Sequence, residues 1–119
     1  MYSCSNTDKN TVLAKSFLKC AKRLGMNLDQ IAATISTAPE KLSLNTFIIR
    51  PNSKQGTLAL SLIRITISLE TLNGGDVEMI RHFMYQKNHL TGGIPIEQVQ
   101  HPQGLLQVLS FVEAIQAKI

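Results

Sequence analysis

The apolar segment 57–72, TLALSLIRITISLETL, constrains the fold of this chain more than any other stretch. As a strand it would place apolar side chains on both faces, because its alternation changes phase between Leu62 and Ile63. Its length also exceeds that of a usual strand. We therefore predict a helix buried in the core or in a dimer, capped by Ser53 and ended by Gly74. The helical stripe consists of Leu58, Leu62, Ile65, Leu69 and Leu72, widened by Leu60, Ile63 and Ile67.

A second helix is predicted over residues 11–24, followed by Gly25 in the position of a left-handed C-terminal cap. Its apolar side carries Leu13, Phe17, Cys20, Ala21 and Leu24. The opposite side carries Lys15, Lys19 and Lys22, which form either a solvated face or a contact with phosphates.

Two capping patterns follow in the front half. Asn27 with Gln30, and Thr37 with Glu40, each match the capping box that opens a helix, and Pro39 is tolerated in a first turn. Three helices with tight turns favour a helix-turn-helix unit. The candidate recognition segment 38–46 offers only Lys41, Ser43, Asn45 and Thr46 to DNA, so a structural bundle without DNA contact is the alternative.

The rear half is predicted to consist of shorter helical elements after a linker over residues 46–54. Asp76 caps a helix that runs to about Gln86 with Ile80, Phe83 and Met84 turned inward. Residues 88–95 form a loop in which Gly92 and Gly93 both permit positive φ, so that Gly93→Val should strain it. Pro95 starts a helical turn through Ile96 and Val99, and His101 with Pro102 breaks it. A final amphipathic helix contains Leu105, Leu106, Val108, Leu109, Val112 and Ile115.

Charge divides the chain unevenly. The net charge is +4 over 119 residues, but residues 1–54 hold eight Lys/Arg against three Asp/Glu, and residues 55–119 hold four against five. This asymmetry is expected of a DNA-facing part joined to a protein-facing part. The start of the chain has no apolar run typical of an export signal, so we expect a reduced, cytoplasmic protein without a membrane span. Cys20 is then a core thiol and Cys4 lies in a terminal tail.

Catalytic and metal-binding patterns are absent from the sequence. The three histidines, His82, His89 and His101, are neither paired one helical turn apart nor joined by a cysteine cluster. Gly92 and Gly93 follow no strand and precede no Gly-Lys-Ser/Thr, so they do not form a phosphate-binding loop. We therefore expect no enzymatic activity, no metal and no cofactor.

From Leu58 onward the chain resembles the C-terminal domain of the MbcA/ParS/Xre antitoxins, the partners of RES-domain toxins that consume NAD. The front helices resemble the Xre-like half of the same family. The matching segments are 60–64 (LSLIR), 68–72 (SLETL), 74–76 (GGD), 104–109 (GLLQVL) and 113–118 (EAIQAK), together with Asn88, Leu90, Gly92, Gly93 and Pro95.

The resemblance implies an all-α protein with a helix-turn-helix lobe over residues 1–50 and a toxin-binding domain over residues 51–119. It further implies a type II antitoxin that dimerises, neutralises a RES-domain toxin by direct binding and represses its own operon by binding operator DNA. The implied toxin contacts are Asn88, Leu90, Gly92, Gly93, Pro95, Ile96, Gly104, Lys118 and Ile119, and the implied DNA contacts are Lys15, Lys19, Lys22, Lys41, Ser43, Asn45 and Arg50. The alternatives are a stand-alone helix-turn-helix regulator and a structural homodimer in which the loop is only a connector.

Overall fold

The computed structural model describes residues 6–44 and 46–118 and has an all-α fold. Among these residues there is no strand, and one isolated bridge joins Asn88 to Gly93. Cys4, Asn45 and Ile119 lie outside the described residues. The elements are α1 (Asn6–Arg23), α2 (Leu28–Thr34), a 3₁₀ helix (Pro39–Ser43), α3 (Lys54–Leu72), α4 (Val77–Tyr85), α5 (Pro95–Gln98) and α6 (Pro102–Ala117).

The end of α1 and the start of α2 lie where the capping residues predict them. Gly25 has φ +85°, a left-handed conformation that glycine adopts without strain, and it follows α1 directly after Leu24. Asn27 then caps α2: its side chain accepts from the Gln30 amide at 2.8 Å, and the Gln30 side chain accepts from the Asn27 amide at 2.9 Å. This reciprocal pair confirms the predicted capping box.

The second predicted capping box, Thr37 with Glu40, is wrong. The following element is a five-residue 3₁₀ helix whose N-cap is Ala38, and Ala38 has no side-chain oxygen to accept from the first amides. The candidate recognition segment is therefore one short 3₁₀ helix in contact with α2, not a full α-helix.

The apolar segment forms α3, with Ser53 as its N-cap through a 3.0 Å bond from the Gly56 amide. The central stripe is buried at Leu62, Ile65 and Leu69. The widening residues behave differently, since Leu60 and Ile67 are exposed. Their places in the interior are taken by Ser61, Thr66 and Ser68, which are buried. Ser61 and Thr66 donate to carbonyls one turn back at 3.0 Å, and Ser68 donates to Gln116 Oε1 at 2.6 Å.

Asp76 caps α4 as predicted. The Asp76 side chain accepts hydrogen bonds from the amides of Glu78 and Met79, and α4 ends at Tyr85. In the turn that precedes α4, Gly74 and Gly75 adopt left-handed conformations. On α6, Leu105, Val108, Leu109 and Val112 are buried, whereas Leu106 points outward. Gly104 lies where α6 begins beside α5, and a Cβ there would overlap the carbonyl oxygen of Gln98.

One hydrophobic core joins the front and rear halves, with α3 packed between α1 and α6. Side chains of α4 also cap the C-terminal end of α1. Arg81 donates to the carbonyls of Arg23 at 3.2 Å and Lys22 at 2.8 Å, and the Tyr85 hydroxyl donates to the Gly25 carbonyl. In the described part of the chain, no helix combines the length and apolar character needed to cross a membrane.

Candidate functional site

The loop between α4 and α5 is closed by hydrogen bonds of its own. The Asn88 amide donates to the Gly93 carbonyl at 2.8 Å, and the Gly92 and Gly93 amides donate to the Asn88 carbonyl at 3.0 and 3.2 Å. The Asn88 side chain accepts from the amides of Leu90 at 2.8 Å and Thr91 at 3.3 Å. Asn88 therefore organises the loop from both its backbone and its side chain, as asparagine does in tight turns.

Buried contacts fix this loop to the helices behind it. Thr91 is buried, and its hydroxyl donates to the Asn88 carbonyl at 3.2 Å. Gln98 of α5 donates from Nε2 to the Thr91 carbonyl at 2.5 Å and to Gln107 Oε1 of α6 at 3.3 Å. The two hydrogen bonds of Gln98 therefore connect the loop to both α5 and α6.

The two glycines of the loop have different roles. Gly92 has φ +90°, whereas Gly93 does not adopt a positive φ. A Cβ on Gly93 would meet the Gln98 side chain at 3.4 Å, an ordinary van der Waals distance. The expectation that both glycines occupy the left-handed region is therefore wrong for Gly93, because its backbone pairs with Asn88 as an extended bridge.

Leu90 protrudes from this braced loop. Its side chain is 78% exposed, and Leu106 on α6 is 56% exposed across an open depression. The remaining lining residues are neutral or weakly basic: His89, Thr91, Gly92, Gln103, Gln107, Ser110 and Phe111. An exposed apolar pair surrounded by uncharged amides is typical of a protein contact surface.

A second groove lies on the other side of Phe111, whose ring stacks on Phe83 with centroids 6.1 Å apart. This groove has a volume of about 390 Å³ and is mainly apolar on its floor. Its lining residues are Leu69, Leu72, Asn73, Met79, His82, Phe83, Gln86, Lys87, Asn88, Phe111, Val112 and Ile115. Phe111 lines both depressions, and we refer to the two depressions together as the rear surface.

The structure brings only some of the predicted toxin contacts to the rear surface. Asn88, Leu90 and Gly92 line it, and Lys118 is exposed beyond α6. Pro95 and Ile96 are buried, Ile96 to 3% exposure, because the α5 turn packs against α6. Burial in the chain alone disfavours a direct contact of these two side chains with a partner, and their role as toxin contacts stays a prediction. Gly104 lacks a Cβ, which lets the first turn of α6 lie close to the Gln98 carbonyl.

The sequence pattern does not predict the α6 residues of the rear surface. It places Leu106 on the apolar stripe of the last helix, and it gives Phe111 no role. The available signal was that Leu105 and Leu106 are adjacent, so that a helix can bury only one of them well.

The predicted DNA contacts lie on different elements of the front half. Lys15, Lys19 and Lys22 are exposed on α1, and Arg50 is exposed after the 3₁₀ helix. Lys41 and Ser43 are exposed on the 3₁₀ helix itself.

A depression lies between α2 and the 3₁₀ helix and is hereafter called the front depression. It is lined by Asn27, Leu28, Asp29, Pro39, Glu40 and Ser43. Its two charged groups, Asp29 and Glu40, are carboxylates, which repel phosphate.

For the expected absence of a metal site, the structure describes residues 6–44 and 46–118 only. No group of three or more His, Cys, Asp or Glu side chains there could hold a metal ion. Burial raises the pKa of the Cys20 thiol, and the neighbouring Thr66 side chain partly opposes this rise. A thiol with a raised pKa is a poor nucleophile at neutral pH.

No protein-family model matches the chain, and no curated protein matches it.

Proposed function

We propose that this chain is the antitoxin of a type II toxin–antitoxin pair and neutralises a RES-domain, NAD-consuming toxin by covering it with the rear surface. The motifs shared with the MbcA/ParS/Xre antitoxins support the choice of partner. The observation that carries the proposal is Leu90, a large apolar side chain held 78% exposed by a loop with its own hydrogen bonds.

Pre-organisation explains how such a loop can bind tightly. A partner that orders a flexible loop loses free energy to conformational entropy, and a loop fixed by Asn88 and Gln98 avoids most of this loss. Leu90 and Leu106 then act as apolar anchors that fill pockets on the toxin. The neutral amides around them can form rim hydrogen bonds without the desolvation of a full charge.

The C-terminal end supplies the inhibitory element in this proposal. Lys118 follows α6 directly and is exposed. With the rear surface seated on the toxin, the last residues, Lys118 and Ile119, enter the toxin's NAD pocket and exclude the substrate. Deletion of both residues is expected to weaken inhibition more than it weakens binding.

Autorepression through DNA is the second proposed activity, and the ridge of Lys15, Lys19 and Lys22 on α1 favours it. The carboxylates Asp29 and Glu40 in the front depression disfavour reading of bases by the 3₁₀ helix. A stand-alone sequence-specific regulator is therefore the weaker alternative.

The decisive experiment measures binding to a RES-domain protein encoded beside this chain's gene. The two proteins are mixed, and the dissociation constant and the residual NAD consumption are determined. Leu90→Asp should raise the dissociation constant by about a hundredfold or more, because a charge replaces a desolvated apolar anchor. Leu44→Asp is the matched control, because Leu44 is 55% exposed and lies outside the rear surface.

The proposal fails if the wild-type chain does not bind the RES-domain protein. The assignment of the rear surface fails separately if Leu90→Asp and Leu44→Asp bind equally well. A chain that binds the toxin through another surface would give this second result.

A further inference from the structure

The turn between α3 and α4 contains the one asparagine of the chain that is followed by glycine, Asn73 before Gly74. Asn73 is the C-cap of α3, and Gly74 is exposed with φ +60°. A Cβ at Gly74 would meet no heavy atom within 4 Å apart from those of its chain neighbours. The backbone nitrogen of Gly74 is therefore shielded neither by a side chain of its own nor by a packed neighbour.

The hydrogen bonds of this turn leave the Gly74 amide without an acceptor. The Gly75 amide donates to the Glu70 carbonyl at 2.8 Å, and the Asp76 amide donates to the Asn73 carbonyl at 3.1 Å. Within the described part of the chain, the Gly74 amide between them donates to no carbonyl. An exposed amide without an acceptor exchanges its proton readily, and a backbone nitrogen that has lost its proton is a nucleophile.

We propose that Asn73 is a deamidation site, at which the chain acquires a carboxylate as it ages. The Gly74 nitrogen gives its proton to hydroxide and attacks Asn73 Cγ. A new N–C bond forms, the bond from Cγ to Nδ2 breaks, and the departing nitrogen takes a proton from water and leaves as ammonia. Water then opens the cyclic succinimide at either carbonyl, which yields aspartate or isoaspartate. The net reaction consumes one water and releases one ammonia, without an oxidant or a reductant.

The reaction requires the turn to open. In the closed turn ψ of Asn73 is 12°, which directs the Gly74 nitrogen away from Asn73 Cγ. Rotation about this bond separates the Gly75 and Asp76 amides from their acceptors, whereas α3 stays hydrogen-bonded up to Leu72. Such openings at the ends of helices have small free energies. Deamidation is therefore expected in the folded chain and does not require global unfolding.

The surroundings of other asparagines are less favourable, because every other asparagine is followed by a residue with a Cβ. Asn52 is exposed in a turn, but Ser53 follows it and the Ser53 amide donates to the Arg50 carbonyl at 3.1 Å. Asn88 precedes His89, and its side-chain oxygen is held by two backbone amides of the rear loop. Asn52 is thus a matched internal control, since it shares exposure and a turn with Asn73 but lacks the glycine.

Deamidation would change the charge of the rear surface, because Asn73 lines its apolar groove. Of the described residues that line the two depressions, none is a carboxylate. A carboxylate at this position cannot donate to the Leu69 carbonyl, as Asn73 Nδ2 does at 2.9 Å, and it repels the negative end of the α3 dipole. The effect on binding rests on the proposed function: a toxin seated on the groove would desolvate the new charge and bind more weakly.

The test uses the free chain without toxin, incubated at about 37 °C and about pH 8. Digestion and mass spectrometry follow the gain of about 1 Da at each asparagine, and an isoaspartyl methyltransferase assay measures isoaspartate. Asn73 should be modified at least about tenfold faster than Asn52. Gly74→Ala should slow the modification, because its Cβ obstructs the nitrogen, and circular dichroism checks that this variant is folded.

Two outcomes would overturn the proposal. One is an Asn73 that is modified no faster than Asn52 in the wild-type chain, a comparison that needs no variant to fold. The other is a folded Gly74→Ala protein that is modified at the wild-type rate.

The effect on toxin binding is measured separately, with Asn73→Asp as the permanently charged form. It should raise the dissociation constant for the RES-domain protein by about tenfold. Asn52→Asp adds the same charge outside the rear surface and should leave this constant unchanged. Equal affinities of the two variants would overturn the effect of the new charge on the toxin contact. A fresh wild-type chain that binds no toxin would contradict the proposed function alone, because the modification is measured without toxin.

Discussion

Leu28 in the front depression and Leu90 on the rear surface are both exposed leucines near a turn, yet their surroundings differ. Leu28 lies with Asp29 and Glu40, whereas Leu90 lies among glutamines, a serine and Leu106. Covering Leu28 with a partner would desolvate two carboxylates, and covering Leu90 would desolvate none. Exposure of an apolar side chain therefore indicates a binding surface only when the charges around it are also considered.

The second difference between the two regions is the number of hydrogen bonds that hold the backbone. The loop that carries Leu90 is held by hydrogen bonds from the backbone and side chain of Asn88 and by one from Gln98. The 3₁₀ helix beside Leu28 begins at Ala38 without a side-chain cap. The rear surface is therefore the better pre-organised of the two, as tight binding requires.

A substitution at Gly104, where α6 begins close to α5 behind the rear loop, should have a large effect on stability. Gly104→Val should lower the free energy of unfolding by about 3 kcal/mol, because its side chain would overlap the Gln98 carbonyl. Gln103→Val, one residue earlier and exposed, is the control and should change stability by less than about 0.5 kcal/mol. Urea unfolding measures both. A Gly104→Val protein as stable as the control would show that α5 and α6 can separate without cost.

A smaller effect should distinguish the two loop glycines. Gly92→Ala should lower the free energy of unfolding by about 1 kcal/mol, because φ +90° is unfavourable for a residue with a Cβ. Gly93→Ala should cost less than about 0.5 kcal/mol, because its Cβ would make an ordinary contact with Gln98. Guanidinium unfolding of the two variants side by side provides the measurement. Equal losses would contradict the assignment of the strain to Gly92 alone.

The smallest expected effect is a change in affinity for DNA when the charges of the front depression are removed. Replacing both carboxylates, as Asp29→Asn with Glu40→Gln, should tighten binding to a duplex by about threefold, because it removes repulsion from phosphate. Lys19→Gln should weaken binding and lower the salt slope by about one unit if the α1 ridge contacts phosphates. Fluorescence anisotropy over a salt series reports both. Unchanged affinity in the double variant would place the DNA away from the front depression.

Most helices could be predicted from the sequence, because their ends are marked by local chemistry. Asn27, Ser53 and Asp76 cap their helices through side-chain oxygens, and these bonds depend only on neighbouring residues. Thr37 shows the limit of this reasoning. The same two-residue pattern occurs there, yet the backbone places Ala38 at the cap.

The orientation of α3 could not be predicted as well, because apolar character is not a sufficient guide to burial. Thr66 and Ser61 occupy the interior since each satisfies its hydroxyl on a carbonyl of its own helix. Leu60 and Ile67 are left outside. Only the positions of α1 and α6 decide which side of such a helix is covered, and these depend on long-range packing.

Only part of the candidate site could be predicted from the sequence, again because burial depends on long-range packing. The motif residues Asn88, Leu90 and Gly92 mark the loop in the sequence, and the structure places all three on the rear surface. Pro95 and Ile96 continue the same motif but face the core. Phe111 is distant in sequence and reaches the loop only because α6 folds back beside it.

The two sides of α1 have different freedom to change during evolution. Leu13, Phe17 and Leu24 hold the helix to the shared core, whereas Lys15 and Lys19 project from the other side. Substitutions on the lysine side leave the packing of α3 untouched. Surface charge on the lysine side can therefore change one residue at a time, with direct consequences for the proposed contact with DNA, while the inner side of the helix is constrained as a wall of the core.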